Sequence, residues 1–153
     1  MIKINWGLLI VSVVIIMVVA GGGGLFTSAN TGSEWYESIK PSITPPNWIF
    51  PIVWNILFLL IAISLYLILI SKEQKTKVLI AYLINFILNI LWSFLFFSQK
   101  LTKIAFFELL VLWISVIFMI SLAYKIDKKA AYLLVPYLLW LTFAGILNYL
   151  AAF

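Results

Sequence analysis

Three segments of the chain carry aromatic and polar side chains at helical spacings. The members of each group lie three or four residues apart, or a sum of such steps, which places them on one face of an α-helix. The groups are Trp54 and Phe58; Asn85, Asn89, Trp92 and Phe96; and Tyr137, Trp140, Ala144, Leu147 and Asn148. Aromatic faces with a few polar groups among them are typical of a pocket for a flat, largely apolar molecule.

The same residues also allow a structural interpretation. Amides in lipid need hydrogen-bond partners and can hold helices together, and membrane tryptophans most often lie in interfacial belts. We apply this interpretation to Trp6, Trp35 and Trp48, which lie near the ends of apolar runs. The tryptophans of the three groups lie deeper and come from separate segments, so for them the pattern favours a pocket.

The chain has neither cysteine nor histidine. It therefore lacks a thiol nucleophile, a disulfide, the commonest zinc ligands and the usual haem axial ligand, and we expect no metal site. Glu108 is the one carboxylate inside an apolar run; it marks a functional site, or it is a snorkelling contact toward Lys103 or the lipid headgroups. A single acid makes acid–base hydrolysis or a proton relay a poor candidate for the function.

The elements that position these residues are membrane helices. Of the 153 residues, 65% are hydrophobic and 10% charged, which is too little charge to cover a soluble globule. The charges separate five apolar runs, each able to cross about 30 Å of hydrocarbon as a helix, whereas barrel strands would be short and alternating. We predict an all-α bundle of five transmembrane helices in a single domain, 1–153. The predicted helices span about 4–26, 47–70, 78–97, 104–124 and 130–152.

The connection between the first two helices differs from the other loops. The stretch from Gly21 to Asn47 is rich in Gly, Ser, Thr and Pro, and its loop, about 27–46, is long for a connection, which predicts a lid. Gly21–Gly24 lack the following Gly-Lys-Ser/Thr of a phosphate loop, so we interpret them as a flexible helix end.

Pro136 predicts a kink in the fifth helix that frees a backbone carbonyl. A signal peptide ending near Ala20 is an alternative for the first run, but the run is long for a signal core.

The basic residues indicate orientation. All ten are lysines, the net charge is +5, and we interpret them as topology markers beside an anionic bilayer, with no nucleic-acid partner. Because successive loops lie on alternate sides of the membrane, seven lysines fall on one side and three on the other. The seven are Lys3, Lys72, Lys75, Lys77, Lys125, Lys128 and Lys129, and the three are Lys40, Lys100 and Lys103. The positive-inside rule then places the N-terminus in the cytoplasm and the C-terminus outside.

A set of motifs across the whole chain resembles the translocator protein family, also called the tryptophan-rich sensory protein or peripheral benzodiazepine receptor family. The motifs are Trp35-Tyr36, Lys40-Pro41, Thr44 to Pro51, Trp54, Asn89, Trp92-Ser93, Phe96-Phe97, Pro136-Tyr137, Trp140, Ala144 and Leu147-Asn148. The resemblance implies a five-helix bundle, usually a homodimer, whose cavity beneath the first loop binds tetrapyrroles such as protoporphyrin IX. The implied pocket positions are Tyr36, Pro45, Trp54, Phe58, Asn89, Trp92, Trp140, Ala144 and Leu147.

The resemblance also implies an integral membrane protein, here a bacterial-type member of the family in a bacterial cell membrane. It suggests a porphyrin receptor, with light-dependent porphyrin breakdown through Trp54 and Trp140 as a further activity; porphyrin or lipid transport and a purely structural subunit are the alternatives. Two departures matter. Ile43 stands where the family often has a tryptophan, and nothing basic follows Tyr149, which the animal sterol motif requires. The missing histidine and cysteine favour a free-base tetrapyrrole over haem held by a strong axial bond.

The orientation can be tested by accessibility labelling. A cysteine introduced at Ser33 is expected to react with a membrane-impermeant thiol reagent in intact cells, because the first loop is predicted to lie outside. A cysteine introduced at Ser71, on the opposite side, is the matched control and is expected to react only after permeabilisation. Reaction at Ser71 alone would invert the topology.

Overall fold

The computed structural model describes residues 4–153, which fold into helices with no strand in that range. The helices are α1 (Trp6–Ser28), α2 (Glu34–Ile39), α3 (Ile49–Ile70), α4 (Thr76–Ser93), α5 (Thr102–Tyr124), α6 (Lys128–Leu133) and α7 (Val135–Ala152). A π-helical turn, Phe94–Ser98, continues α4, and α6 and α7 together form one span. In this described part of the chain, five spans are long and apolar enough to cross a membrane, which confirms the predicted all-α bundle. Lys3, used in the topology prediction, lies outside the described residues.

The outer surface of the bundle is apolar. Met17, Val18, Leu59, Phe118 and Leu139 are each at least 59% exposed, a surface that lipid accommodates and water does not. The hydroxyl of an exposed serine in the fourth span is satisfied within its own helix, since Ser121 Oγ donates to the Ile117 carbonyl at 2.8 Å, as hydrocarbon requires. The chain is therefore an integral membrane protein.

The spans form a closed ring around the core. α1 packs between α3 and α4, α5 packs between α4 and α7, and α3 closes the ring through α6. The main core fills the half of the bundle away from α2, with Ile61, Ile68, Tyr82, Val116 and Leu134 almost fully buried. Contact between α3 and α7 is sparse in comparison with that between α3 and α6. The bundle is thus tight at one end and open between α3 and α7 at the other.

The fifth span breaks at Leu134, two residues before Pro136, where the sequence predicts a kink. The Leu134 N–H bonds to the carbonyl of Ala131 instead of that of Ala130. The freed Ala130 carbonyl accepts a hydrogen bond of 2.6 Å from Ser64 Oγ on α3. Because Ser64 has a single hydroxyl proton, the Tyr82 hydroxyl, 2.6 Å away, donates to it. This buried chain of hydrogen bonds ties α3 and α4 to α6.

The glycine run lies inside α1, so the expectation of a flexible helix end at Gly21–Gly24 is wrong. Two of these glycines allow α1 to approach α4 closely. A Cβ on Gly22 would lie 3.0 Å from Ile90 Cδ1, and one on Gly23 would lie 3.3 Å from Ser93 Oγ. The residues are glycines because the helices touch here, and the intrahelical hydrogen bonds that lipid requires keep the run helical.

This contact can be tested with two leucine substitutions one residue apart. Gly22→Leu is expected to lower the free energy of unfolding by about 1–3 kcal/mol, because the new side chain overlaps Ile90. Gly21→Leu, whose Cβ would meet nothing within 4 Å, is expected to leave stability unchanged or to raise it by up to about 1 kcal/mol through helix propensity. Thermal unfolding of both variants in detergent measures the difference. Equal melting temperatures would contradict the close packing.

Candidate functional site

A cavity of about 430 Å³ lies in the half of the bundle beneath α2. Side chains from all five spans and from the segment between α1 and α3 line it. Its position follows from the fold, because the main core fills the opposite half and α7 diverges from α3 above Leu134. The volume is within the range of small-molecule sites, about 300–1,000 Å³.

Aromatic rings form two walls of the cavity. On the side of α3 and α7, the ring centroids of Trp54 and Phe58 are 5.2 Å apart, and those of Phe50 and Trp140 are 5.8 Å apart in an edge-on arrangement. On the side of α4, Trp92 stacks on Phe96 with centroids 5.2 Å apart and planes inclined by 24°. Between such walls the cavity suits a flat, apolar ligand.

A hydrogen-bonded network connects the α4 wall to α5 and α7. Asn89 Nδ2 donates to the Tyr137 hydroxyl at 2.9 Å, and this hydroxyl donates to Asn85 Oδ1 at 3.3 Å. Asn85 Nδ2 donates to Ser115 Oγ at 2.8 Å. Asn89 lines the cavity and Asn85 lies behind it. Within residues 4–153, Asn89 Oδ1 accepts no hydrogen bond, so the network leaves it free for a ligand.

The indoles at the cavity differ in their hydrogen bonding. Trp92 Nε1 donates to Asn148 Oδ1 at 3.0 Å, and Asn148 Nδ2 donates to the Thr102 carbonyl at 2.9 Å, so Trp92 helps to hold α4, α5 and α7 together. Among the described residues, the indole N–H groups of Trp54 and Trp140 have no acceptor. Both side chains line the cavity.

The segment that covers the cavity contains a short helix, where the sequence predicts only a loop. Ser33 caps α2 by accepting a hydrogen bond from the Tyr36 N–H at 3.2 Å. Tyr36 is 7% exposed, packs on Phe97 at a centroid distance of 5.7 Å, and has its pKa raised by burial. Trp35 packs on Phe96 at 5.9 Å, and the Lys100 ammonium lies 5.4 Å from the Trp35 ring centroid. α2 is thus packed onto the end of α4.

Polar residues gather at the mouth of the cavity, next to α2. Lys40, Thr44 and Asn47 line it, and Lys40 forms an ion pair with Glu37 one turn earlier. The Lys40 ammonium, followed by the Asn47 amide, holds the pKa of the exposed Glu37 carboxyl below its ordinary value. The polar atoms Thr44 Oγ1 and Asn47 Oδ1 are shielded from solvent and have no hydrogen-bond partner among residues 4–153.

The structure brings most of the expected pocket residues together. Those that line the cavity are Tyr36, Trp54, Phe58, Asn89, Trp92, Trp140, Ala144 and Leu147. Pro45 does not line it, and Ile43 is exposed beside the mouth without lining it. That any of the expected pocket residues binds a ligand stays a prediction.

Other lining residues were not anticipated as site residues. Thr27, Ser28 and Thr31 come from α1 and the turn after it, Lys40 directly follows α2, and Phe50 lies in the first turn of α3. Hydroxyl residues at 27, 28 and 31 follow helical spacing and continue the glycine run, which is the signal that could have placed α1 at the cavity. From the sequence, Lys40 is a topology marker and part of a family motif, and neither pattern places it at the cavity.

Glu108 lies on α5 outside the cavity lining. Both of its carboxyl oxygens are buried without a hydrogen-bond partner among the described residues. The alternative of a snorkelling contact to Lys103 does not fit, because the Lys103 ammonium lies over the Phe153 ring, 5.2 Å from its centroid.

Sequence comparisons decide the family. The family model described as TspO/MBR matches residues 10–153. The chain belongs to the TspO/MBR family. It is 37% identical over 129 residues to a tryptophan-rich protein TspO of Archaeoglobus fulgidus, covering 81% of this chain and 82% of that protein. The corresponding protein of Chlorobaculum tepidum is 34% identical (76% and 77% covered), and the translocator protein of Bos taurus is 35% identical (77% and 73% covered). The resemblance inferred from the motifs is thereby confirmed.

Proposed function

We propose that this TspO/MBR member is a membrane receptor for a porphyrin-type tetrapyrrole. The observation that carries the proposal is the cavity between two aromatic walls, one of which contains an amide with a free carbonyl oxygen. A macrocycle would be held by stacking and burial between Trp92 on one side and Trp54 with Trp140 on the other. Asn89 Oδ1 would accept a hydrogen bond from a ring N–H, which a free-base porphyrin has and a metalloporphyrin lacks. As part of the same proposal, the protein lies in a bacterial cell membrane with its N-terminus in the cytoplasm, and it forms a homodimer.

Transport is the second candidate, and the name of the bovine relative, translocator protein, favours it. The cavity is covered by α2, a short element that could open and close over a ligand in transit. Receptor and carrier share the same binding step, so the first experiment is a binding measurement.

Two substitutions test the binding site. Ala144→Phe is expected to fill the cavity, and Asn89→Leu to remove the polar partner at nearly constant size; each is expected to weaken protoporphyrin IX binding about five- to a hundred-fold, equivalent to about 1–3 kcal/mol. The measurement is an absorbance titration of the purified protein in detergent. Folding is checked by circular dichroism.

Each substitution has a matched control. Ile146→Phe adds a similar ring on the lipid-facing side of α7, where Ile146 is exposed. Asn85→Leu removes the other amide bonded to Tyr137, behind the cavity wall. Ile146→Phe is expected to bind as the parent does, and Asn85→Leu is expected to lose less affinity than Asn89→Leu, because it loosens the Tyr137 network without removing a group that faces the ligand. Unchanged affinity in Ala144→Phe and Asn89→Leu, with folding intact, would mean that the porphyrin site lies elsewhere.

The free indoles favour one further activity, light-dependent porphyrin breakdown. An indole is oxidised more easily than a phenyl ring, so Trp54 and Trp140 can donate an electron to photoexcited pigment, which passes it on to dissolved dioxygen. Addition of the resulting superoxide to the macrocycle, with return of one electron to the indole radical cation, gives a net incorporation of dioxygen into the porphyrin. Trp54→Phe and Trp140→Phe are expected to retain most of the affinity, because aromatic pairs add only about 0.5–1.5 kcal/mol beyond area burial, yet to lose most of the protein-dependent rate of porphyrin bleaching.

Porphyrin absorbance followed over time in light and in darkness, at saturating protein, measures this activity. Trp113→Phe is the control, because that indole bonds to Thr142 and lies outside the cavity lining. Equal bleaching rates in the parent, all variants and detergent alone would leave the protein as a receptor or carrier without photochemistry.

A further inference from the structure

The polarity of the cavity changes from its deep end to its mouth. Around Trp54, Phe58, Trp92 and Leu112 the lining is mainly aromatic and aliphatic, whereas the mouth carries Lys40 with Thr44 and Asn47. Lys40 is the charged residue of the lining within the described part of the chain, and no acidic side chain of that part lines the cavity with it. A ligand that fills this space meets apolar surface over its body and one cation at its edge.

The mouth contains unsatisfied hydrogen-bonding groups. Thr44 Oγ1 and Asn47 Oδ1 are shielded from solvent and unpartnered among residues 4–153. Buried polar atoms in proteins are almost always hydrogen-bonded, and exceptions call for a ligand or another explanation. The Thr44 hydroxyl can donate a hydrogen bond, and Asn47 can donate through Nδ2, whereas its unpartnered Oδ1 can only accept one. The donors that suit a carboxylate are therefore the Lys40 ammonium, the Thr44 hydroxyl and Asn47 Nδ2, and Asn47 Oδ1 would pair with a donor group of the ligand.

A carboxylate already contacts Lys40, and it belongs to the protein. Glu37 pairs with Lys40 at a spacing of three residues, with side chains 43% and 33% exposed. A solvent-exposed pair of this kind contributes little to stability. A second carboxylate arriving from the cavity side can therefore compete for the Lys40 ammonium without disrupting the fold of α2.

We propose that Lys40, with Thr44 and Asn47 beside it, is a subsite for a carboxylate on the edge of the bound tetrapyrrole, and that Glu37 occupies the same cation when the cavity has no ligand. This inference rests on the proposed receptor function and narrows its ligand class. Macrocycles that carry carboxylate side chains are selected over neutral ones of the same shape, because only the former can replace Glu37 at Lys40.

The test uses two probes that differ only in charge, protoporphyrin IX and its dimethyl ester, titrated in neutral detergent. The parent is expected to bind the free acid more tightly. Lys40→Gln is expected to weaken binding of the free acid about ten-fold and to leave binding of the ester unchanged, while Lys40→Arg keeps the preference. Glu37→Gln is expected to strengthen binding of the free acid several-fold, because the competing carboxylate is gone. Lys103→Gln, at the same end of the bundle but outside the lining, is the control for general electrostatics.

The outcomes separate the subsite from the receptor. If both porphyrins bind saturably and Lys40→Gln binds the acid as the parent does, the subsite is wrong and the receptor stands. If Lys103→Gln loses as much affinity as Lys40→Gln, long-range attraction rather than a subsite explains the preference, which also overturns the inference. If neither porphyrin binds to any variant, the receptor function and the subsite fall together.

Discussion

The hydrogen bond from Ser64 to the carbonyl of Ala130 is the contact on which the shape of the bundle depends. In hydrocarbon a broken helix must satisfy its free backbone groups within the protein. The fifth span breaks ahead of Pro136. Ser64 on α3 donates a hydrogen bond to the free carbonyl, and the Tyr82 hydroxyl in turn donates to Ser64. α6 is thereby held against α3, while α7 makes sparse contact with α3. The space left between α3 and α7 becomes part of the cavity.

The polar groups above this point serve two purposes at once. Tyr137, one residue after the proline, joins two amides of α4 and so fixes the wall that faces the ligand space. Trp92 is fixed in the same way by Asn148. Because their hydrogen bonds are made with neighbouring helices, these side chains need no ligand to hold them in position. The cavity is preorganised, which lowers the entropic cost of binding.

Much of this arrangement could be predicted from the sequence, because membrane helices obey strong local rules. Length and hydropathy identify the five spans, helical spacing places Asn85, Asn89 and Trp92 on one face, and Pro136 marks the break. Contacts between distant segments could not be predicted in this way. The role of Gly22 depends on Ile90, which is 68 positions later, and only the folded bundle shows that the glycines mark an approach rather than a flexible end. The helix α2 was missed because six residues carry too short a pattern to be recognised.

The π-helical turn at Phe94–Ser98 has a consequence for how the two ends of α4 relate to each other. A π turn accommodates an additional residue and changes the angular phase of everything after it. Phe96 and Phe97, adjacent in sequence, are both buried there and both meet α2. The orientation of the side chains that contact the cover is therefore set independently of the orientation of Asn85 and Asn89 farther down the helix. Within this family, the gain or loss of one residue at this turn would reshape the fit between cover and bundle while the hydrogen-bonded wall of the cavity kept its register.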